Sequence, residues 1–227
     1  MAMRAILDRQ MTMLRAQVVD LGRLAIRQME HTLDAVERRD AALANDVAKA
    51  DSALDAAESV IDGLVVRTTA LQQPEATDLR GLLAGLRIAV ALERIGDHAK
   101  TVAKRVPALD ASLSGPIEPE LIAIGRLALD ELADAVRAYE SNDADLALAV
   151  CRRDVELDRL YEVYGEATIQ AMEADSRMVR PGVFRLYAAR NFERIGDQAT
   201  NIAEQVHFAV RGRLPDEDRP RLAEGAS

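Results

Sequence analysis

The chain is poor in cysteine, aromatic residues and histidine, and each shortage excludes a class of protein. The one cysteine among 227 residues, Cys151, cannot form an internal disulfide, which agrees with a reducing compartment. Aromatic residues make up only 3% of the chain and tryptophan is absent, whereas apolar residues, chiefly alanine and leucine, make up 49%. This composition is typical of closely packed helices and unfavourable for sheets. Three scattered histidines offer no basis for a catalytic triad.

Long apolar runs and an excess of positive charge are also missing. No stretch of 18 or more apolar residues occurs, so we expect no insertion into a membrane. Residues 1–14 lack the compact apolar stretch and the cleavage site of a secretory signal, and we interpret the protein as cytoplasmic. The net charge of −9 disfavours binding to nucleic acid and to anionic membrane surfaces, because both require clustered lysine and arginine.

A repeated phrase is the most informative feature that is present. ALERIGDHAKTVA at 91–103 and NFERIGDQATNIA at 191–203 share Glu-Arg-Ile-Gly-Asp at an offset of 100 residues. Earlier in each copy, DSALD at 51–55 matches DVELD at 154–158 at an offset of 103 residues. Such self-similarity indicates two copies of one unit of about 100 residues.

Proline and glycine divide the chain into six stretches whose apolar residues recur every three or four positions, as in helices. In the first half they predict a helix before Asp40, whose side chain suits an N-cap, a second helix to about residue 70 and a third over 77–105. The predicted helices of the second half are 117–141, 143–174 and 180–211. Short connections make neighbouring helices antiparallel, so we predict an all-α fold of two tandem three-helix bundles with six long helices.

The same division predicts three segments. The first three-helix bundle spans residues 1–107, and the second spans residues 108–211. Residues 212–227 are polar and contain proline, so we expect a disordered tail.

Each copy carries two pairs of acidic residues spaced four positions apart. Residues at this spacing share one face of a helix, with Cβ atoms about 6 Å apart, and like charges there repel. The four pairs are Asp51/Asp55, Glu93/Asp97, Asp154/Asp158 and Glu193/Asp197. Folding the second and third helices antiparallel about Pro74 brings Asp51 level with Asp97, and the second half behaves in the same way. We therefore expect four carboxylates to converge in each half.

Convergent carboxylates have two interpretations. Four of them would be costly without a counter-charge, and oxygen-rich clusters suit magnesium, manganese, iron or zinc ions. Alternatively, the pairs belong to ordinary solvated helix faces, because 30% of the chain is charged. The recurrence of level pairs in both halves favours a metal site in each.

Residues beside these pairs suggest further roles. Arg94 and Arg194 follow the glutamates directly, and adjacent helical residues face different directions. We therefore expect these arginines either to pair elsewhere in the protein or to contact a partner. Gly96 and Gly196 lie within helices, where glycine costs about 1 kcal/mol relative to alanine, so they indicate either close packing or room for a ligand. No Glu-x-x-His pair, phosphate-binding glycine loop or nucleophile elbow occurs, and we predict that the protein is not an enzyme.

These motifs together resemble the PhoU family. The resemblance rests on two three-helix repeats, each with Asp-x-x-x-Asp on its second helix and Glu-Arg-Ile-Gly-Asp followed by His/Gln-Ala on its third. The phrase QQPEATDLRGLLAGLRIAVALERIGDHA at 72–99 is especially similar to the family pattern, and the similarity extends over about residues 8–211.

The resemblance implies a negative regulator of phosphate uptake and of the phosphate-starvation response. Members of the family are cytoplasmic helical proteins that act with the phosphate ABC transporter, including its ATPase subunit, and with a phosphate sensor histidine kinase. The resemblance also implies a homodimer and a multinuclear iron or zinc cluster bound through the acidic motifs. The matching residues here are Asp51, Asp55, Glu93, Asp97, Asp154, Asp158, Glu193 and Asp197.

One departure from the family pattern distinguishes the two halves. The second motif continues to Asn201, as the family's does, whereas the first has Thr101 at that place. If the asparagine helps to hold a metal or a partner, the first site is the weaker one. Two alternatives to a regulatory adaptor stay open from the sequence: a metal-storing or redox helical bundle, and a structural module with solvated acidic faces.

Overall fold

Six long α-helices form the part of the chain that the computed structural model describes, residues 2–108 and 117–215. The helices are α1 (Ala2–Arg38), α2 (Ala41–Gln72), α3 (Ala76–Ala103), α4 (Pro119–Ser141), α5 (Ala144–Ala174) and α6 (Val179–Arg211). Short 3₁₀ turns at Val106–Ala108 and Ser176–Met178 complete the described structure, in which no strand forms. The predicted all-α fold of six helices is confirmed. None of the described helices contains an apolar stretch of the length and hydropathy that crossing a membrane requires.

The first connection of each half has the same capped turn. Asp40 accepts hydrogen bonds from the backbone N–H groups of Ala42 and Leu43 at 2.9 and 3.0 Å, and so begins α2. Asp143 does the same at the start of α5. The residue before each cap, Arg39 or Asn142, has a positive φ, of 54° or 53°. A carboxylate that caps the first turn satisfies N–H groups which the helix leaves unpaired. The predicted cap at Asp40 is confirmed.

Each half is a bundle of three helices, and the two bundles pack against each other. Helices α1, α2 and α3 are in mutual contact, as are α4, α5 and α6, and the bundles meet where α3 lies on α6 and α1 lies on α4. Buried apolar residues of all six helices form one continuous core. Gly125 of α4 lets α1 approach closely, because a Cβ there would overlap Leu33. The bounds of the halves at residues 107 and 211 stay a prediction, and most of the predicted tail lies outside the described residues.

The glycines of the repeated phrase serve close packing. A Cβ placed on Gly96 would lie 2.5 Å from Cδ2 of Leu54, and one placed on Gly196 would overlap Leu157. Leu54 and Leu157 are equivalent residues of α2 and α5, and both are buried. Of the two roles that the sequence left open for these glycines, the structure supports the approach of a leucine from the neighbouring helix.

Candidate functional site

The first acidic cluster comprises Asp51, Asp55, Glu93 and Asp97, from α2 and α3. Asp51 is buried, Glu93 is half-buried, and Asp55 and Asp97 are exposed. Burial raises the pKa of the Glu93 carboxyl, and the negative charges of the other three carboxylates raise it further. The structure therefore brings the four predicted residues close enough to influence one another.

A lysine already neutralises part of the first acidic cluster. The Nζ of Lys100 donates hydrogen bonds to Oδ2 of Asp51 and, at 3.1 Å, to Oδ1 of Asp97. The hydrogen bond to Asp51 is the largest of the effects that raise the pKa of Lys100. The Nε2 of Gln28, on α1, donates to Asp51 from 3.5 Å. Lys100 was not among the residues predicted from the sequence, although its position three residues after Asp97 places both on one helix face.

The second acidic cluster comprises Asp154, Asp158, Glu193 and Asp197, from α5 and α6. It is more deeply buried than the first, because Asp154 and Glu193 are both inside the protein and the other two are half-buried. Burial raises the pKa of Glu193 to about 7, and the negative charge of Asp197 adds to this shift. Arg190 partly opposes it, since its Nη1 donates to Oε1 of Glu193 at 2.6 Å.

A fifth carboxyl, Glu131 of α4, joins the second acidic cluster. It is fully buried, and neither of its oxygens accepts a hydrogen bond from a described residue. Burial is the main cause that raises the pKa of Glu131 to about 8, and the negative charge of Asp154 is the second. The closest approach of a cation is that of Arg153, whose Nε lies 4.0 Å from Oε1. Glu131 was not among the residues predicted from the sequence. Its one signal there is that it stands at the position that corresponds to Gln28, at an offset of 103 residues.

The two clusters therefore differ in charge at equivalent positions. Gln28 and Lys100 of the first half correspond to Glu131 and Thr200 of the second. Thr200 is fully buried, and its Oγ1 makes no hydrogen bond to a described residue. The first half thus combines four carboxylates with a lysine ammonium. The second combines five carboxylates with the guanidinium of Arg190, which bonds to Glu193, and has a hydroxyl at the lysine's place.

The donor atoms of the second half suit a hard cation better than those of the first. No group of three or more histidine, cysteine, aspartate or glutamate side chains within the described residues is already arranged to hold a metal ion. However, Oε2 of Glu193 and both oxygens of Glu131 are buried and accept no hydrogen bond from the described residues. Buried carboxylate oxygens in this state lack the partners that water or a cation would supply. In the first half Lys100 supplies such a partner, so a metal would have to compete with it.

The two arginines predicted to contact a partner lie near His98. Burial lowers the pKa of the His98 imidazole, a hydrogen bond with Asn191 raises it, and the positive charges of Arg194 and Arg94 lower it again. Both arginine side chains are exposed. Their contact with a partner stays a prediction.

Comparisons with known proteins agree with this architecture. The model of the PhoU domain matches residues 18–106 and again residues 121–206. A "Phosphate-specific transport system accessory protein PhoU homolog" of Xylella fastidiosa (strain 9a5c) is 39% identical over 214 residues, which cover 93% of this chain and 90% of the relative. A relative of the same name from Caulobacter vibrioides (strain NA1000 / CB15N) is 37% identical over 210 residues, covering 92% of this chain and 91% of the relative.

Solved structures have the same fold. The crystal structure of PhoU from Pseudomonas aeruginosa superposes with a TM-score of 0.87 at 33% sequence identity, covering 90% of this chain and 99% of that one. The phosphate transport system regulatory protein PhoU from Streptococcus pneumoniae superposes with a TM-score of 0.85 at 27% identity, covering 93% and 100%. Because the domain model matches both halves and the relatives align over nearly their whole length, this chain belongs to the PhoU family, as its repeated motifs had indicated.

Proposed function

We propose that this protein is a cytoplasmic regulator of phosphate transport that restrains phosphate uptake and represses the phosphate-starvation response. It would act without catalysis, as a metal-binding adaptor between the phosphate ABC transporter, through its ATPase subunit, and the sensor histidine kinase. The observation that carries this proposal is the similarity, over nearly the whole chain, to proteins named as accessory proteins of phosphate-specific transport.

An adaptor regulates by binding one conformation of its partner more tightly than another. The helices here are 23 to 37 residues long, and α1, at about 1.5 Å per residue, extends for roughly 55 Å. Such helices offer broad surfaces for docking. The exposed side chains of Arg94 and Arg194 are the proposed contacts on α3 and α6. The family resemblance also implies a homodimer, which sedimentation velocity of the purified protein would detect.

We further propose that the metal binds through the acidic clusters, more tightly in the second half. Asp154, Asp158, Glu193 and Asp197 would be the ligands, with Glu131 as an additional donor. A bound cation supplies positive charge that offsets the free-energy cost of burying ionised carboxylates. The side chains of α4, α5 and α6 would then be held together at one point. The first half would bind a metal only if Lys100 moved away from the carboxylates. Its ligands would be Asp51, Asp55, Glu93 and Asp97. Iron or zinc is the expected ion, with magnesium and manganese as further candidates.

A deletion strain tests the regulatory function. In phosphate-rich medium, loss of the protein should raise expression of a phosphate-starvation reporter, and a plasmid copy of the wild-type gene should restore repression. Co-purification of the transporter ATPase and the kinase should weaken when Arg94 and Arg194 are both changed to Glu, with helicity unchanged. Normal phosphate-dependent expression in the deletion strain would contradict the proposal.

Metal measurements test the site separately. A variant in which all eight predicted acidic ligands are changed to Asn or Gln should lose bound iron or zinc, measured by mass spectrometry after dialysis. Unchanged metal content would contradict the assignment of these residues as metal ligands. It would not contradict the regulatory function, which the deletion strain tests separately. Oxygen consumption on addition of ferrous iron would favour the alternative function, a metal-storing or redox helical bundle.

A further inference from the structure

A cleft between α3 and α6 concentrates positive charge in a protein that is acidic overall. The chain has a net charge of −9, yet four cationic side chains line this cleft of about 570 Å³. They are Lys100, Lys104, Arg190 and Arg194. Asp97 is the one acidic side chain of the lining. We propose that the cleft is a binding site for a small anion that carries two or more phosphoryl groups. The cleft borders both acidic clusters, since Lys100 bonds to Asp51 and Asp97 and Arg190 bonds to Glu193. The proposal does not depend on the regulatory role proposed above.

The cations face each other from two antiparallel helices. His98 of α3 lies 3.1 Å from Oδ1 of Asn191 on α6, measured from its Nδ1, while Arg105 stacks on the ring of Tyr187 with a separation of 3.2 Å. Residue numbers thus rise along one helix as they fall along the other. Lys100 and Lys104 are four residues apart on α3, and so are Arg190 and Arg194 on α6. Like charges at this spacing repel, so an anion bound between the two helices would relieve repulsion on each wall.

Two of the four cations have no acidic partner. Lys104 and Arg194 form no salt bridge with any described residue, whereas Lys100 is bonded to the first acidic cluster and Arg190 to Glu193. Lys104 and Arg194 are also exposed, so a ligand reaches them without unfolding the protein. Arginine and lysine donate charge-assisted hydrogen bonds to phosphoryl oxygens, and the guanidinium of arginine matches two of those oxygens at once.

A buried polar group at the floor of the cleft adds a neutral donor. Asn191 is buried, and its Nδ2 donates one hydrogen bond to the backbone oxygen of Tyr187 at 2.8 Å. An amide nitrogen carries two hydrogens, and this is the single bond that Nδ2 makes to the described residues. Thr101 supplies a hydroxyl from the opposite wall. A phosphoryl group bound here would therefore meet cations and neutral donors from both helices.

The internal repeat does not reproduce this concentration of charge. At the 100-residue offset, the four cations correspond to Thr200, Glu204, Val90 and Arg94. The equivalent region on the other side of the α3–α6 contact therefore has one cation and one carboxylate. The fold places the two regions in equivalent positions. The positive charge of the cleft therefore comes from its own residues and not from the way in which the helices pack.

The size of the cleft favours a small ligand with more than one phosphoryl group. Pockets for small molecules typically measure about 300–1,000 Å³, and this cleft lies within that range. A single phosphate ion would fill a small part of a cleft of this volume. A diphosphate or triphosphate can reach the lysines of α3 and the arginines of α6 together, which is where the binding energy would arise.

Calorimetric titration of the full-length metal-free protein tests the proposal. Pyrophosphate and triphosphate should bind, and more tightly than orthophosphate or citrate, with an affinity that falls as salt rises. The double variant Lys104→Gln/Arg194→Gln should weaken binding of triphosphate about tenfold or more, because each lost contact is a charge-assisted hydrogen bond. The matched control Lys49→Gln/Arg9→Gln removes the same two charge types outside the cleft and should change the affinity less than about twofold.

Four results would overturn the proposal. They are the absence of pyrophosphate and triphosphate binding up to millimolar concentration, equal weakening in both double variants, unchanged binding in Lys104→Gln/Arg194→Gln, and preference for an acidic peptide over triphosphate. Circular dichroism and thermal unfolding of both variants should match the wild type, since the four substituted side chains are exposed. A change in binding then reports on the cleft itself. None of these outcomes depends on expression of the starvation genes, so the test is separate from that of the regulatory function.

Discussion

Gln28 of α1 and Glu131 of α4 hold equivalent positions, each with a side-chain oxygen against the glycine of the repeated phrase. Oε1 of Gln28 lies 3.0 Å from where a Cβ of Gly96 would be, and Oε2 of Glu131 lies 3.1 Å from the corresponding point at Gly196. An amide in one half thus becomes a carboxyl in the other, at a fully buried position. This difference adds a carboxyl to the second half, and it leads to the first two predictions.

Glu131→Gln should weaken metal binding in the second half. The variant gives α4 the side chain that α1 already has, so it removes one buried anionic donor with little change of shape. We expect the affinity for manganese or zinc to fall about tenfold, measured by titration calorimetry, as expected for loss of one charged ligand. Asp130→Asn is the control, because it removes a charge from the exposed neighbouring residue. Equal effects of the two substitutions would contradict a role for Glu131 as a ligand.

Metal-free protein should lose stability as pH rises from about 4.5 to about 8. Glu131 and Glu193 have ordinary pKa values of 4.5, raised in the folded protein to about 8 and about 7. Across this range the folded state holds protons that the unfolded state has released, so the free energy of unfolding falls with pH. We expect a loss of roughly 2 kcal/mol or more between pH 5.5 and 8.5 in urea unfolding. Glu131→Gln should make the dependence shallower, and an unchanged slope in that variant would refute the assignment.

Lys100→Met should destabilise the metal-free protein and strengthen metal binding in the first half. Removing the ammonium leaves Asp51 buried beside Glu93 without its counter-charge, which we expect to cost about 1–3 kcal/mol in urea unfolding. A divalent cation can then occupy the vacated place, so added manganese should restore more stability to the variant than to the wild type. Lys49→Met is the control, because that lysine is exposed and pairs only with Asp46. Restoration no greater than in the wild type would show that Lys100 does not compete with metal.

Gly196→Ala should lower stability although alanine favours helices. The new methyl group would overlap Leu157, and overpacking of this kind typically costs about 1–3 kcal/mol, against a gain of about 1 kcal/mol in helix propensity. Gly63→Ala is the matched control, since no atom lies within 4 Å of its added Cβ. That variant should be more stable than the wild type by about 0.5–1 kcal/mol. Both are measured by thermal or urea unfolding, and a stabilised Gly196→Ala would contradict the packing explanation.

The sequence was sufficient for the family, the helices and the pairing of the acidic residues. Spacing of three and four residues places side chains on one helix face, and this geometry is local, so it can be read from the chain. The helix bounds differed from expectation by only a few residues, as at α3, which ends at Ala103 instead of Arg105. The carboxylates' role as metal ligands, and the partners, stay predictions.

Only the tertiary structure decided which further residues surround these carboxylates. Glu131 belongs to α4, and its burial beside Asp154 depends on how α4 packs on α5 and α6. The basic cleft unites Lys104 with Arg194, which are far apart in the chain and meet only because α3 packs on α6. Comparing the repeats aligns the two halves with each other, but it does not show how they pack together. Burial and the field of neighbouring charges arise from that packing, and they determine which acid keeps its proton and where positive charge accumulates.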